Sequence, residues 1–365
     1  MKIDKEILGG NIEVLEIDGD RVSLANELRD TRLDRDWFYW AFRVTGAAGR
    51  TVTFEFPHKN RVGYWGAAVS RDQIHWSWTR NRKISALEDG TPLESFTYTF
   101  GAEENEVYFA HNMVYVPARF EQFCAKNGLS IEELCLSNKG RSVPFVRFGK
   151  GEKKILLCSR HHACESTGTH VMEAVLQSFI DEPLEGYEIV CVPFVDYDGV
   201  VDGDQGKHRL PHDHNRDYPF DGSKSLYHTC TAIRQYVDEN PVEFAFDFHS
   251  PKHLGGAHDK ALIVYNMSED LPRFQRFAKI FKSKITEESF AYDPVNDIPP
   301  NTDWNKDTNE TFARYVARNP ANHFAFTLET PYFGEEDGSV MTTLDSMREL
   351  GKCFANAAKE YIKSM

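Results

Sequence analysis

The chain lacks any paired cysteine motif. Its seven cysteines, Cys124, Cys135, Cys158, Cys164, Cys191, Cys230 and Cys353, are scattered and never spaced as CxxC. An odd, dispersed set argues against a disulfide framework and favours a reducing compartment. Positive charge is also short. Lys and Arg number 42 against 56 Asp and Glu, a formal net charge of −14. Nucleic acid and anionic membrane both need a basic face, so neither is expected as a partner. No run approaches the ~20 apolar residues of a membrane helix. The opening residues, Met1-Lys2-Ile3-Asp4-Lys5-Glu6, have no apolar core of signal-peptide length, and a cytoplasmic protein is expected. Internal repeats and low-complexity segments are absent too. What remains is a globular composition, 13% aromatic, in 365 residues. That length is long for one domain and sufficient for a large core.

Two compositional zones follow one another. From about residue 8 to 118, short aromatic and β-branched runs alternate with turn signals: Asn11 to Ile17, Trp37 to Val44, Thr51 to Phe56, Phe96 to Phe100 and Glu106 to Phe109. This pattern predicts an antiparallel β-sandwich over residues 1–118. Residues 119–149 read as a linker with short helices at Phe120–Asn127 and Ile131–Leu134 and a Gly/Lys-rich stretch, Asn138-Lys139-Gly140-Arg141. Residues 150–365 alternate apolar strands with amphipathic helices. They predict an α/β domain whose mostly parallel mixed sheet is flanked by helices.

Sites in such sheets form beyond the carboxyl ends of strands. Three strand ends there carry the chemistry. His162-Ala163-Cys164-Glu165 follows Ile155-Leu156-Leu157-Cys158; His249 ends Phe244-Ala245-Phe246-Asp247-Phe248; Glu329 ends Phe324-Ala325-Phe326-Thr327-Leu328. Two imidazoles and one carboxylate make the protein ligand set of an open catalytic zinc site. His162 and Glu165 are three apart, so one tight turn can aim both at a metal. The competing reading of Glu165 is a helix-start carboxylate. Asp247 lies two before His249, on the same side of an extended strand, where it could orient the imidazole. Glu329 then supplies a carboxylate that could act on a metal-activated water.

A charged loop lies between the ligands: Asp196-Tyr197-Asp198-Gly199, then Lys207, Arg209 and His212-Asp213-His214-Asn215-Arg216-Asp217. Asn-Arg beside a metal can fork onto a carboxylate. His212 and His214 fall on opposite sides of an extended chain and rank below His162 and His249 as ligands.

The pieces His162-Ala-Cys-Glu165, Asp198-Gly199-Val200, Asp213-His-Asn215-Arg216, Asp247-Phe-His249-Ser250 and Thr327-Leu-Glu329-Thr330 resemble, in order, the motifs of the zinc metallocarboxypeptidases. The aromatic β region followed by Tyr115-Val116-Pro117 looks like the accessory sandwich of the cytosolic-carboxypeptidase branch. The resemblance implies one Zn²⁺ per chain on His162, Glu165 and His249, with Glu329 as general base. It implies that Asn215 and Arg216 hold the terminal carboxylate of a peptide or small amide substrate. The oxyanion-stabilising arginine of the family would fall near Gly206. Arg209 is taken for that role, with Lys207 as its rival. The family's usual Asn-Pro-Asp-Gly is Asp196-Tyr-Asp-Gly here, and the mobile tyrosine of digestive members has no clear counterpart. Branch members that cleave glutamate place an arginine in the segment before the base, so Arg314 is a candidate for binding an acidic side chain; the other reading is a surface helix arginine.

The expected activity is therefore zinc-dependent hydrolysis of the amide bond before a C-terminal, possibly acidic, residue. The rivals are a zinc amidohydrolase acting on small N-acyl amino acids and a non-catalytic binding protein on the same scaffold. Residues 1–118 are expected to supply no metal ligand.

Overall fold

The computed structural model of the chain describes residues 1–31, 37–250, 259–267, 271–319, 322, 324–334 and 340–365. Ten strands come first: β1 (Lys2–Asp4), β2 (Glu13–Asp18), β3 (Arg21–Ala25), β4 (Ala41–Thr45), β5 (Thr51–Phe56), β6 (Ala68–Ser70), β7 (Trp76–Trp78), β8 (Lys83–Ala86), β9 (Pro92–Thr99) and β10 (Glu106–Ala110). They form two five-stranded sheets, ordered β1-β4-β10-β6-β7 and β2-β3-β5-β9-β8. Pairing is antiparallel except between β3 and β5. Alternation explains the sandwich. Val52, Phe54 and Phe56 of β5 point inward and are fully buried, while Thr51, Thr53 and Glu55 point out. Trp40, Phe42, Phe54, Phe96 and Phe109 fill the space between the sheets, with Trp40 stacked on Phe96 at 5.8 Å.

The second half contains α1 (Pro117–Asn127), β11 (Ile131–Leu136), β12 (Ser142–Gly149), β13 (Lys153–Ser159), α2 (Ser166–Asp181), β14 (Tyr187–Val192), α3 (Tyr197–Asp202), α4 (His228–Glu239), β15 (Val242–His249), β16 (Leu262–Tyr265), α5 (Leu271–Lys284), α6 (Phe312–Ala317), β17 (Phe324–Glu329) and α7 (Leu344–Lys363). The sheet runs β11-β12-β14-β13-β15-β17-β16. Its four central strands are parallel, and β11, β12 and β16 add antiparallel edges. The mixed α/β sheet expected from the sequence is present.

The linker at 119–149 needs correction. Ile131–Leu136 is an edge strand, not a helix, and with β12 it belongs to this sheet. Ile131 and Leu134 stand three apart, which imitates a helical face. Pairing with β12 overrides that local preference.

Side-chain size sorts the two faces of the sheet. Phe244, Phe246, Phe248, Phe324 and Phe326 point to the side covered by α2, α5 and α7. Ala245 and Ala325 point to the other side, where α6 packs close with Phe312 and Val316. The strand order turns back at β13: β14 lies on one side of it and β15 on the other. A crevice opens at such a switch point, outside the carboxyl ends of the strands.

Candidate active site

The turn after β13 is built by Arg160. This residue has a left-handed φ of 62°. Its buried guanidinium donates to the carbonyls of Ala163 and Tyr115, at 2.7 Å and 3.0 Å. Glu165 N closes the turn on His162 O at 3.1 Å. His162 and Glu165 thereby face one point. Glu165 occupies the capping position of α2 yet makes no side-chain capping hydrogen bond. Its carboxylate is turned into the crevice instead. His249 arrives from the adjacent strand end, and β15–β17 register places Glu329 directly beside it.

His162 Nδ1 lies 3.0 Å from Glu165 Oε1, and His249 Nδ1 lies 2.8 Å from Glu165 Oε2. The donor atoms of His162, Glu165 and His249 all sit within 4.8 Å of one another. His162 Nδ1, Glu165 Oε2 and Glu329 Oε2 are buried without a hydrogen-bond partner. The short His–Glu separations are thus close in distance but misaligned as hydrogen bonds. Buried polar atoms are normally satisfied, and atoms orphaned around a common point ask for a bound ion. Two neutral imidazoles and a carboxylate are the donor set of catalytic zinc, so these residues fit the metal.

The surroundings hold these candidate ligands in place. Asp247 accepts from His249 Nε2 at 2.8 Å and from His161 Nδ1 at 2.9 Å. His161 Nε2 in turn meets Tyr218 OH at 2.8 Å. His161 is therefore a supporting group of Asp247. Asp213 Oδ2 stands 3.5 Å from His162 Nε2. Burial opposes ionisation of Glu165, but the neighbouring His162, Lys207 and His249 hold its carboxyl well below the usual range. Burial pushes Glu329 the other way, up to about 7; Glu165 adds to the rise and His249, Lys207 and His162 oppose it.

The sequence-predicted residues divide into two groups. His162, His249, Glu329, Lys207, Asn215 and Arg216 line one cavity of about 290 Å³, and Glu165 lies against it, bonded to Lys207. Lys207 Nζ donates to Glu165 Oε1 at 2.6 Å and to Ser250 O at 3.0 Å. Arg209 does not join them. Its guanidinium meets Asp196 at 2.5 Å, Asp30 at 3.3 Å and Asp204 at 3.5 Å, and it faces a separate surface depression. Two residues apart, Lys207 and Arg209 would share a side of an extended chain. His208 between them has φ 61°, which breaks the alternation and turns Arg209 away. Asp196, the departure from the family motif, is the partner that takes Arg209.

Arg314 also lies outside the cavity. It is buried, donating to Asn266 O and Asn305 Oδ1 at 2.7 Å each and to Asp307 at 3.0 Å. It braces the wall that Asn266 and Asn305 form, and the case for an acidic side-chain pocket built on it falls. His212 pairs with Asp217, and His214 stacks on Tyr227 at 3.6 Å, away from the ligand set. Sequence reasoning missed the wall residues Val264, Asn266, Trp304, Asn305 and Asn309 and the role of Asp213 at His162. Only Asp213 carried a signal, its place in the Asp-His-Asn-Arg stretch. A larger groove of about 810 Å³ borders α1, α2 and α7; in it Arg119 pairs with Glu173 and Lys359 with Glu182. No metal-ligating cluster among the described residues lies there, or anywhere in residues 1–118.

Comparison with known proteins agrees with this arrangement. Residues 3–111 match the family model of the cytosolic carboxypeptidase N-terminal domain. A metallo-carboxypeptidase from Burkholderia cenocepacia superposes with a TM-score of 0.77 at 18% identity, covering 100% of this chain and 99% of its own. The chain has the fold of the metallo-carboxypeptidases, preceded by a region similar to the N-terminal domain of the cytosolic carboxypeptidases. The metallocarboxypeptidase from Pseudomonas aeruginosa, solved with (2-guanidinoethylmercapto)succinic acid, gives a TM-score of 0.73 at 18% identity over 100% and 99% of the two chains. An uncharacterized protein of Zymomonas mobilis is 25% identical over 92% of this chain and 89% of its own. The family resemblance read from the sequence is borne out. In this carboxypeptidase-like chain the two N-terminal sheets correspond to the matched domain. Among the described residues, no helix is long and apolar enough to cross a membrane.

Proposed function

We propose that the chain is a zinc-dependent metallocarboxypeptidase that hydrolyses the amide bond before a C-terminal residue. One observation carries this reading. Two imidazoles, two carboxylates, a lysine and an Asn-Arg pair converge on one cavity, with orphaned buried atoms on His162, Glu165 and Glu329. His162, Glu165 and His249 would hold one zinc per chain. When bound, the metal would polarise the scissile carbonyl and acidify the attacking water.

The chain's own residues supply the rest. Glu329 Oε2 has no competing hydrogen bond, so it is available to take a proton from water and return it to the leaving amine. Lys207 faces the same space and would stabilise the oxyanion, the role first given to Arg209. Arg216 lines the cavity with one N–H committed to Asn215 O at 2.8 Å, and its fork would receive the substrate carboxylate. Asn215 accepts from Phe312 N at 3.2 Å through its carbonyl, which leaves its amide NH2 to donate to the same carboxylate. The ligand of the Pseudomonas relative is a succinic acid, the kind of group such a pair receives. The substrate is a peptide or small amide ending in a free carboxylate, and the compartment is cytoplasmic. We assign residues 1–118 as an accessory domain and residues 131–365 as the catalytic unit.

Retention of all three ligands and Glu329 counts against a binding protein that has lost catalysis. The test is a panel of peptides with free carboxyl ends beside N-acyl amino acids, with metal content measured by plasma emission. Release of single C-terminal residues by protein carrying one zinc is expected. Turnover confined to N-acyl amino acids would assign the amidohydrolase activity instead.

A further inference from the structure

Lys207 lies on a segment, residues 203–213, that has no regular structure before the short turn His214–Arg216. Backbone groups in such a segment need partners from elsewhere. Here they come from the N-terminal sandwich. Asn11 Nδ2 donates to Gly203 O at 2.9 Å. Phe38 N donates to the Gln205 side-chain carbonyl at 2.8 Å. Gly206 N donates to the Asp30 carboxylate at 2.6 Å, and Leu210 N donates to Asp30 O at 3.1 Å. Asp30 therefore grips the segment on both sides of Lys207, with side chain and backbone at once. The opposite face of the segment rests on the ligand turn, where Cys164 N donates to Gln205 O at 3.0 Å. The fit leaves no slack. A side chain at Gly206, whose φ is 76°, would come within 2.4 Å of Ala163 N. The Asp30 carboxylate is buried and also meets Arg209 at 3.3 Å.

We infer that Asp30 is a positioning residue: it fixes Gly206 and Leu210 so that Lys207 reaches Glu165, which makes the N-terminal domain a working part of the active site. The catalytic consequence rests on the metallocarboxypeptidase reading; the positioning itself does not. The functional groups all come from the second half of the chain, yet the loop that presents one of them is shaped from the first.

The test uses full-length protein and the variants Asp30→Ala and Asp30→Asn. Labelling of Lys207 by an amine-acylating reagent, read by peptide mapping, and hydrogen exchange across residues 203–210 report the loop without any turnover. Asp30→Ala should raise both rates by ~10-fold or more, as local opening becomes easier. Asp30→Asn keeps an acceptor for Gly206 N and should stay within ~3-fold of wild type on the same scale. If Asp30→Ala fails to fold, Asp30→Ser replaces it, since a serine hydroxyl is too short to span Gly206 N and Arg209. With an active enzyme, kcat should fall ~10-fold in Asp30→Ala with little change in KM, less than the loss expected on removing an oxyanion donor itself. In a Lys207→Ala background the same substitution should cost less than ~2-fold, because both act through one group. Wild-type labelling and exchange in Asp30→Ala, or costs that simply multiply with those of Lys207→Ala, would overturn the inference. Failure of the carboxypeptidase reading looks different: wild-type protein without turnover, with labelling and exchange still deciding the role of Asp30.

Discussion

Asp247 joins His249, the proposed zinc ligand, to the core, and its removal has a calculable effect. Its two oxygens accept from His249 Nε2 at 2.8 Å and His161 Nδ1 at 2.9 Å, with all three side chains buried. Hydrogen bonds to a charged group are worth ~1.5–3 kcal/mol each. Only the His249 bond bears directly on the metal. At 1.4 kcal/mol per factor of ten, its loss weakens zinc binding by ~10–100-fold, the range typical for outer partners of ligating histidines. Asp247→Ala should show this loss in chelator competition at fixed pH, with circular dichroism confirming the fold. Asp247→Asn should lose less than ~10-fold on the same reasoning. Its amide oxygen still accepts from His249, and its NH2 can face His161 in the other tautomer, whose Nε2–H then donates to Tyr218 OH. A folded Asp247→Ala protein that binds zinc as tightly as wild type would refute the argument. So would an asparagine variant weaker than alanine.

Other outcomes follow from the same geometry. Glu329→Gln should keep its zinc and lose ~10²–10⁴ in turnover, since the amide cannot accept the proton; turnover within a few-fold of wild type would remove Glu329 from the mechanism. His249→Ala should lose most of the metal by plasma emission while the fold persists, because the sheet core does not depend on it. Lys207→Ala should lower kcat by up to ~10²–10³, whereas Arg209→Ala should lower stability by ~3 kcal/mol or more by leaving Asp30, Asp196 and Asp204 facing one another; calorimetry and kinetics on both variants would expose the reverse assignment. Away from the site, burial raises the Asp297 carboxyl from its ordinary 3.8 to about 6 despite hydrogen bonds from Tyr265, Ile263 and Tyr292. The folded form then holds this proton more tightly than the unfolded form, so stability falls as pH rises from about 4 to about 6, by roughly 3 kcal/mol in all. Urea unfolding of wild type and Asp297→Asn between pH 4 and 7 should diverge over that window, and parallel profiles would contradict the cause given.

The legible part of this site is the local part. His162 and Glu165 share one turn, Asp247 and His249 share one strand face, and Glu329 ends an apolar strand; spacing alone predicts these relations. Which of Lys207 and Arg209 faces the cavity is not legible locally, because a left-handed residue, His208, sits between them and because Asp30, far away in sequence, holds the loop at Gly206. From sequence Arg314 reads either as a pocket arginine or as a surface helix arginine, but its guanidinium turns inward to Asn305, a residue outside that helix. Ile131–Leu136 has the spacing of a helix and the hydrogen bonds of an edge strand. The cavity wall at Val264, Asn266 and Trp304 is assembled only by strand order and long loops, which no local pattern encodes.

The central claim is that zinc-loaded protein removes one residue from a free carboxyl terminus. Two peptides of identical sequence, one ending in a free carboxylate and one in an amide, test it by mass spectrometry. The free acid should lose its C-terminal residue in the zinc-loaded wild type and not in Glu329→Gln, and the amide should survive. Equal cleavage of both peptides, internal cleavage, or no cleavage of any free-acid peptide by protein carrying one zinc would contradict the account.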